Sequence, residues 1–117
     1  MPPDIQPIPR PEWSPLPFEG CYHVEGKVLL RLPHLSLALL RFAPGGTIHE
    51  HPADIDIDVI CLEGHGRTSV GGVAAELHSS EHVRWPAGLA HRLWTEDSQM
   101  ITLMVEHRPG APDLPNG

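Results

Sequence analysis

Cysteine is scarce in this sequence, and the scarcity excludes one class of small protein. Cys21 and Cys61 are the only two cysteines, whereas a secreted scaffold held by disulfides usually carries more. A secretory leader begins with a charged segment followed by an apolar one, and the proline-rich start does not have this pattern. We therefore expect a cytoplasmic protein without a Cys21–Cys61 disulfide.

Positive charge and long apolar runs are scarce as well. Eight lysines and arginines stand against fifteen aspartates and glutamates, which makes the formal net charge −7. Nucleic acid and anionic membranes repel such a chain, so neither is expected as a partner. The longest apolar run, Leu35–Leu40, is far too short to cross a bilayer. No catalytic triad, phosphate-binding loop or nucleotide motif is present, so the sequence offers no chemistry of those kinds.

Proline divides the chain into an arm, a globular domain and a tail. Seven of the fourteen prolines lie in the first seventeen residues. Because proline removes a donor and fixes φ, residues 1–19 are expected to form an extended arm, on the barrel or on a neighbouring subunit, with Trp13 and Phe18 as anchors. One globular domain is expected over residues 20–107, followed by a frayed tail over 108–117.

Short apolar or alternating segments, separated by turn residues, predict an all-β fold. No ten-residue stretch keeps an apolar period of 3.6 without glycine or proline, so little helix is expected. Turns are predicted at 43–46, at 63–64 and, as a two-residue hairpin, at Gly71-Gly72. The predicted strands are 27–32, 35–42, 56–62, 67–70, 73–77, 82–85, 91–95 and 100–106. Short strands of this number suit a double-sheet jelly roll.

Two histidine segments, about forty residues apart, are the strongest functional feature. His49 and His51 are at positions i and i+2, which lie on one face of a regular strand. Pro86-x-Gly88 predicts a turn that delivers His91 onto the following strand. Three neutral imidazoles that converge inside a dry barrel form a transition-metal site with open positions for water or substrate.

These segments resemble the two conserved motifs of the cupin superfamily. The matching stretches are Gly46-Thr-Ile-His49-Glu-His51 followed by Gly64, the strand end Val59-Ile-Cys-Leu-Glu-Gly64, and Trp85-Pro-Ala-Gly88-x-x-His91. The resemblance covers roughly residues 20–106 and implies a double-stranded β-helix, a jelly-roll barrel. It also implies that His49, His51 and His91 are metal ligands.

The family's motif glutamate has two counterparts here. Counting forward from His51 reaches Asp56, whereas counting back from Gly64 reaches Ile57. Either a β-bulge turns Asp56 inward as a fourth ligand, or Ile57 fills the position and water completes a three-histidine shell. Aspartates 54, 56 and 58 alternate with apolar residues, as on a strand with one solvated face, which favours the second reading. Two further departures from the family are Thr95, in place of asparagine, and Ser80, in place of glycine.

The resemblance implies a metal-dependent enzyme acting on a small organic molecule, with dioxygenase chemistry at Fe(II) favoured and Zn, Ni or Mn as the other metals. A non-catalytic metal- or ligand-binding sensor and a metal-assisted isomerase or lyase are the alternatives, because a fold does not fix a function. A homodimer is also expected, since strand 56–62 has apolar residues on both faces.

Overall fold

Apolar side chains alternate with polar ones along most of the chain, and these segments form eight strands. The computed structural model describes residues 1–109, so nearly all of the predicted tail lies outside the described residues. The strands are β1 (Arg10–Pro15), β2 (Cys21–Leu32), β3 (Leu35–His51), β4 (Asp56–Val70), β5 (Val73–His78), β6 (His82–Trp85), β7 (His91–Trp94) and β8 (Met100–His107). Residues 1–109 contain no helix that could cross a membrane. The all-β prediction is confirmed.

Two long strands close the sheet into a barrel. The strand order is β1-β2-β3-β7-β4-β5, with β6 paired to β4, and every pairing is antiparallel. Both β3 and β4 pair with β7 at one end and with β8 at the other. Backbone hydrogen bonds close this ring of four strands, and β1, β5 and β6 are left at the edges.

Strand β3 continues through residues 43–46, where the sequence predicted a turn. Phe42 pairs with Met100 of β8, and Thr47, five residues later, pairs with Trp94 of β7. The segment is therefore a corner at which the strand changes partner without reversing direction. The predicted turn was wrong because glycine and proline serve such corners as readily as they serve turns.

Thr95 holds this corner together. Its buried hydroxyl donates to the carbonyl of Ala43 (2.8 Å) and accepts from the N–H of Gly46 (3.1 Å). Its own N–H donates to the carbonyl of Gly46 (2.8 Å). The threonine that departs from the family pattern thus satisfies backbone groups that the strand pairing leaves free.

A second corner lies in β4 at Glu63-Gly64, where a turn was also predicted. Gly64 has φ 74°, and a Cβ there would lie 2.0 Å from the carbonyl oxygen of Gln99, so only glycine fits. Predicted strands 56–62 and 67–70 are consequently one strand. The hairpin at Gly71-Gly72 is confirmed, with φ of 58° and 85°.

The N-terminal segment forms part of the sheet. β1 pairs with β2, and the ring centroid of Trp13 lies 4.7 Å from the Lys27 ammonium and 4.4 Å from the Arg41 guanidinium. Trp13 is an anchor, as predicted. Phe18 is not, because 68% of it is exposed. The sheet thus begins at Arg10, within the segment predicted as an extended arm.

The barrel interior is filled by side chains from strands all around the ring. Its most buried apolar side chains are Phe42, Val59, Cys61, Trp85, Leu93 and Met100. Both cysteines are free. On the outer side of β4, Leu62 is 42% exposed, so residues 1–109 do not cover it. The homodimer that this strand suggested stays a prediction.

An ion-pair cluster joins β4, β6 and β8 on the outer surface. The carboxylate of Asp58 accepts from Nε (2.9 Å) and Nη2 (2.7 Å) of Arg84, and from Nε2 of His82 and of His107 (2.6 Å each). The Arg84 bonds hold the pKa of Asp58 far below its usual value; partial burial opposes this, and the two histidines add to it.

The corner at Thr95 predicts a measurable loss on substitution. Thr95→Val keeps the shape but removes the hydroxyl, which leaves buried backbone groups of Ala43 and Gly46 unpaired. We expect a loss of about 1–3 kcal/mol in the free energy of unfolding, measured by urea denaturation. The control is Thr47→Val, whose hydroxyl has only a 3.5 Å contact with Arg92. Equal losses in both variants would contradict this account of the corner.

The Asp58 cluster predicts a dependence of stability on acid. Because the folded-state pKa of Asp58 lies below the unfolded value of 3.8, its contribution is complete above pH 3.8 and is lost as the pH falls from there through the folded-state pKa. Denaturation between about pH 6 and 2 should show a steeper loss for the parent than for Asp58→Asn. Asp54→Asn, at an exposed aspartate on the same stretch, should follow the parent. Parallel curves for the parent and Asp58→Asn would show that the cluster contributes nothing.

Candidate functional site

A cavity of about 630 Å³ lies in the barrel and opens to the surface. Most of its lining is apolar, with Leu40, Ile48 and Ile57 among the residues that enclose it. His49, His51 and His91 all line it, so the two sequence segments do meet in one cavity. A concave, mostly apolar site with a few polar groups is the usual form of a small-molecule site.

His91 is the most unusual polar residue in the barrel. It begins β7, directly after the predicted turn, where Gly88 has φ 84°. The residue is 1% exposed, and neither Nδ1 nor Nε2 has a hydrogen-bond partner among the described residues. Burial, and then the neighbouring His51, lower the pKa of His91 to about 4; the backbone of Leu89, which lies near the ring but outside hydrogen-bonding geometry, opposes this in part. The imidazole is therefore neutral at pH 7 and has a free lone pair, the form that binds a metal.

Trp85 fixes the orientation of this imidazole. Its indole stacks on the His91 ring at a centroid distance of 4.0 Å and an interplanar angle of 10°. The indole N–H donates to the hydroxyl of Thr68 (3.0 Å), and that hydroxyl donates to the carbonyl of Arg92 (2.9 Å). The sequence places Trp85 in the second motif but assigns it no role towards His91. Its position directly before the Pro-x-Gly turn is the feature that points to the site.

His51 is the neighbour of His91 across the strands. The two residues are paired between β3 and β7, with ring centroids 4.7 Å apart and planes at 69°. Nδ1 of His51 lies 2.8 Å from the carbonyl oxygen of His49. A carbonyl only accepts, so Nδ1 holds the proton and Nε2 keeps the lone pair. The backbone thus sets the tautomer needed for metal binding through Nε2.

His49 does not converge with the other two rings. Between Ile48 and His51, β3 carries one extra residue relative to β7, because Ile48 pairs with Leu93 and His51 with His91. This bulge breaks the rule that residues i and i+2 share a face. His49 is exposed at the edge of the cavity, and its N–H donates to the carbonyl of Gly20 (2.9 Å). A Cβ at Gly20 would lie 2.6 Å from that of His49, so this turn packs directly against the histidine.

Asp56 and Ile57 occupy opposite faces of β4. Ile57 is 7% exposed, lines the cavity and pairs with Trp85. Asp56 does not line the cavity; its Oδ1 accepts from the N–H of Ala87 (2.8 Å), and its Oδ2 lies 3.5 Å from Arg84. The geometry favours Ile57 as the inward residue. Asp56 supports, from outside, the turn that delivers His91.

The donor set fits a divalent transition metal in part. His91 has an orphaned buried imidazole, and His51 has a free Nε2 beside it, both of which suit such an ion. Within residues 1–109, no three His, Cys, Asp or Glu side chains are grouped so as to hold an ion. The third donor is His49, whose exposed side chain must rotate towards the pair. Metal ligation by the three histidines therefore stays a prediction.

Comparison with known proteins places the fold. No family model and no curated protein sequence matches the chain. Among solved structures, it is similar to the polyketide cyclase RemF from Streptomyces resistomycificus, with a TM-score of 0.80, 17% identity, and coverage of 93% of this chain and 83% of that one. A cupin-2 domain from Rhodospirillum rubrum has a TM-score of 0.76 and 18% identity, over 95% and 80% of the two chains.

A cupin 2 conserved barrel domain protein from Leptotrichia buccalis is also similar, with a TM-score of 0.69 and 25% identity over 73% of this chain and 41% of that one. Structural matches at identities of this size support the fold alone. The antiparallel strand pairing of the closed barrel is consistent with that fold. The chain therefore has the cupin barrel fold.

Proposed function

We propose that the protein is a metal-dependent enzyme that acts on a small organic molecule in the barrel cavity. The observation that carries this proposal is the buried His91, whose ring nitrogens have no hydrogen-bond partner within residues 1–109, beside His51 and facing a cavity of about 630 Å³. An unsatisfied buried imidazole costs stability, and a function explains its presence better than packing does. The proposed ligands are His51, His91 and, after side-chain rotation, His49.

Fe(II) is the favoured metal, with Zn, Ni or Mn as the alternatives. A shell of neutral imidazoles adds no charge to the ion, so a bound divalent metal supplies a strong Lewis acid with open positions for oxygen or substrate. The chain's own residues position the proposed ligand: Trp85 and Thr68 hold His91, and Asp56 supports the turn that precedes it. The apolar lining keeps water away from the reacting molecule.

Dioxygenase chemistry is the reaction that we favour, and a ring-forming or other non-oxidative reaction is the second candidate. The second is supported by the likeness to a structure named as a polyketide cyclase, with a TM-score of 0.80. We also propose a cytoplasmic location, which suits the two free thiols, and a homodimer that covers the exposed Leu62.

Oxygen uptake separates these reactions. The protein is loaded with Fe(II) under anaerobic conditions and mixed with β-diketone, thiol and phenolic compounds while oxygen and product are both measured. We expect product formation with oxygen consumed in equal amount. Turnover without oxygen uptake would support the non-oxidative reaction. Tightly held metal with no turnover on any compound would contradict an enzyme and indicate a sensor.

Metal content tests the ligands. His51→Ala and His91→Gln should each lower the bound metal about tenfold or more, because each removes an imidazole donor. His91→Gln keeps much of the buried volume, which separates loss of a ligand from loss of folding. Bound metal is measured by elemental analysis and by the absorption spectrum of the Co(II)-loaded protein.

Two matched variants should keep the parent's metal content. His34→Ala removes an exposed histidine in the turn between β2 and β3, and Asp56→Asn neutralises the carboxylate that contacts Ala87. A tenfold loss of bound metal in Asp56→Asn would instead support the alternative in which a β-bulge turns Asp56 inward as a ligand. Unchanged metal in both His51→Ala and His91→Gln would overturn the site.

A further inference from the structure

The cavity lining has the opposite charge balance to the rest of the protein. Four of the eight lysines and arginines line it, namely Arg10, Lys27, Arg31 and Arg108. Only three of the fifteen carboxylates do so, namely Glu19, Glu50 and Glu106. A chain of net charge −7 thus places three arginines around one cavity, together with Lys27, whose ammonium lies over the ring of Trp13. Such focusing raises the local concentration of anions.

One row of paired residues connects the arginines with the histidine site. Arg31 pairs with Ser36, and Ser36 pairs with Glu106. The row continues from Glu106 to Ile57 and from Ile57 to Trp85. Directly paired residues of antiparallel strands lie on the same face, and three of these five, Ser36, Ile57 and Trp85, are buried. With strands about 4.8 Å apart, the backbone of Glu106 lies about 10 Å from the backbone of Trp85, whose indole stacks on His91.

The guanidinium of Arg108 is held in place at this end of the cavity. Its Nε donates to the hydroxyl of Ser36 (3.1 Å), and its Nη2 donates to Glu106 (3.0 Å). A guanidinium has about five N–H donors, so several remain for a ligand. Arg31 and Arg10 are exposed, and no carboxylate within the described residues forms an ion pair with either. The three arginines outnumber Glu106, so this end of the cavity has a net positive charge.

We propose that the ligand of this cavity is an organic acid. Its apolar body lies along Ala38, Leu40 and Met104, and its anionic group, a carboxylate or a phosphate, lies against Arg31 and Arg108. This inference rests on the proposed function, since it takes the cavity beside His91 as the substrate site. It adds the class of substrate and the end of the cavity at which the charge is recognised. Arginine pairs with carboxylate and phosphate in the same two-bonded geometry, so both groups are included.

Binding of matched probes tests the inference. Calorimetry on the full chain, kept free of metal with a chelator, compares 2-naphthoate, 2-naphthyl phosphate and uncharged 2-naphthamide. We expect at least one acid to bind about tenfold more tightly than the amide, with a preference that shrinks as salt is added. The tighter of the two acids identifies the anionic group.

Variants assign the preference to the arginines. Arg31→Gln and Arg108→Gln should each reduce acid binding several-fold and leave amide binding unchanged. Arg67→Gln, on β4 and away from the cavity lining, is the matched control and should bind like the parent. Equal binding of acids and amide, no binding of any probe, or an equal loss in Arg67→Gln would overturn the inference.

The same experiment separates this inference from the proposed function. Because the metal is absent and His91→Gln is measured in parallel, the preference for acids does not depend on metal binding. A preference for acids in a protein that binds no metal would contradict the proposed enzyme alone. Metal binding at His51 and His91, without any preference for acids, would contradict the inference alone.

Discussion

The stack of His91 on Trp85 organises the site, because it holds inside the barrel an imidazole that has no hydrogen-bond partner in the described part of the chain. Trp85 is joined to three parts of the sheet: it pairs with Ile57, donates to Thr68 and stacks on the first residue of β7. Each of these depends on β4 being one long strand that reaches from β6 to β7. The same long strand, β4, therefore both closes the barrel and fixes the position of the imidazole.

The sequence alone predicts much of the fold. The hairpin at Gly71-Gly72 and the strands β6, β7 and β8 follow from local patterns, and the Pro86–Gly88 turn delivers His91 where expected. Local patterns could not predict the corners at 43–46 and 63–64, because the same residue types, glycine and proline above all, occur where a strand bends and where the chain reverses direction. Which of the two occurs depends on distant partners: Thr95 at one corner and Gln99 at the other.

Local sequence patterns could not predict the candidate site fully either, because a shift of one residue in strand register changes which side chains point inward. Sequence spacing places His49 and His51 on one face only if the strand between them is regular, and a single extra residue in β3 separates them. The bulge is set by pairing with β7, which no local pattern in β3 records. The two ways of counting to Asp56 and Ile57 differ by one residue, and burial decides between them in favour of Ile57. Face assignments in such barrels depend on register as much as on residue type.

The histidine ring nitrogens are the most direct probe of the central claim, that His51 and His91 form a metal centre. Long-range proton–nitrogen NMR spectra of the metal-free protein, titrated with Zn(II), report each ring separately. The account predicts that Nε2 of His51 and one nitrogen of His91 shift together and that the change is complete at one equivalent. A first equivalent that shifts only the exposed cross-strand pair His65 and His78, whose rings are 6.1 Å apart, would contradict it.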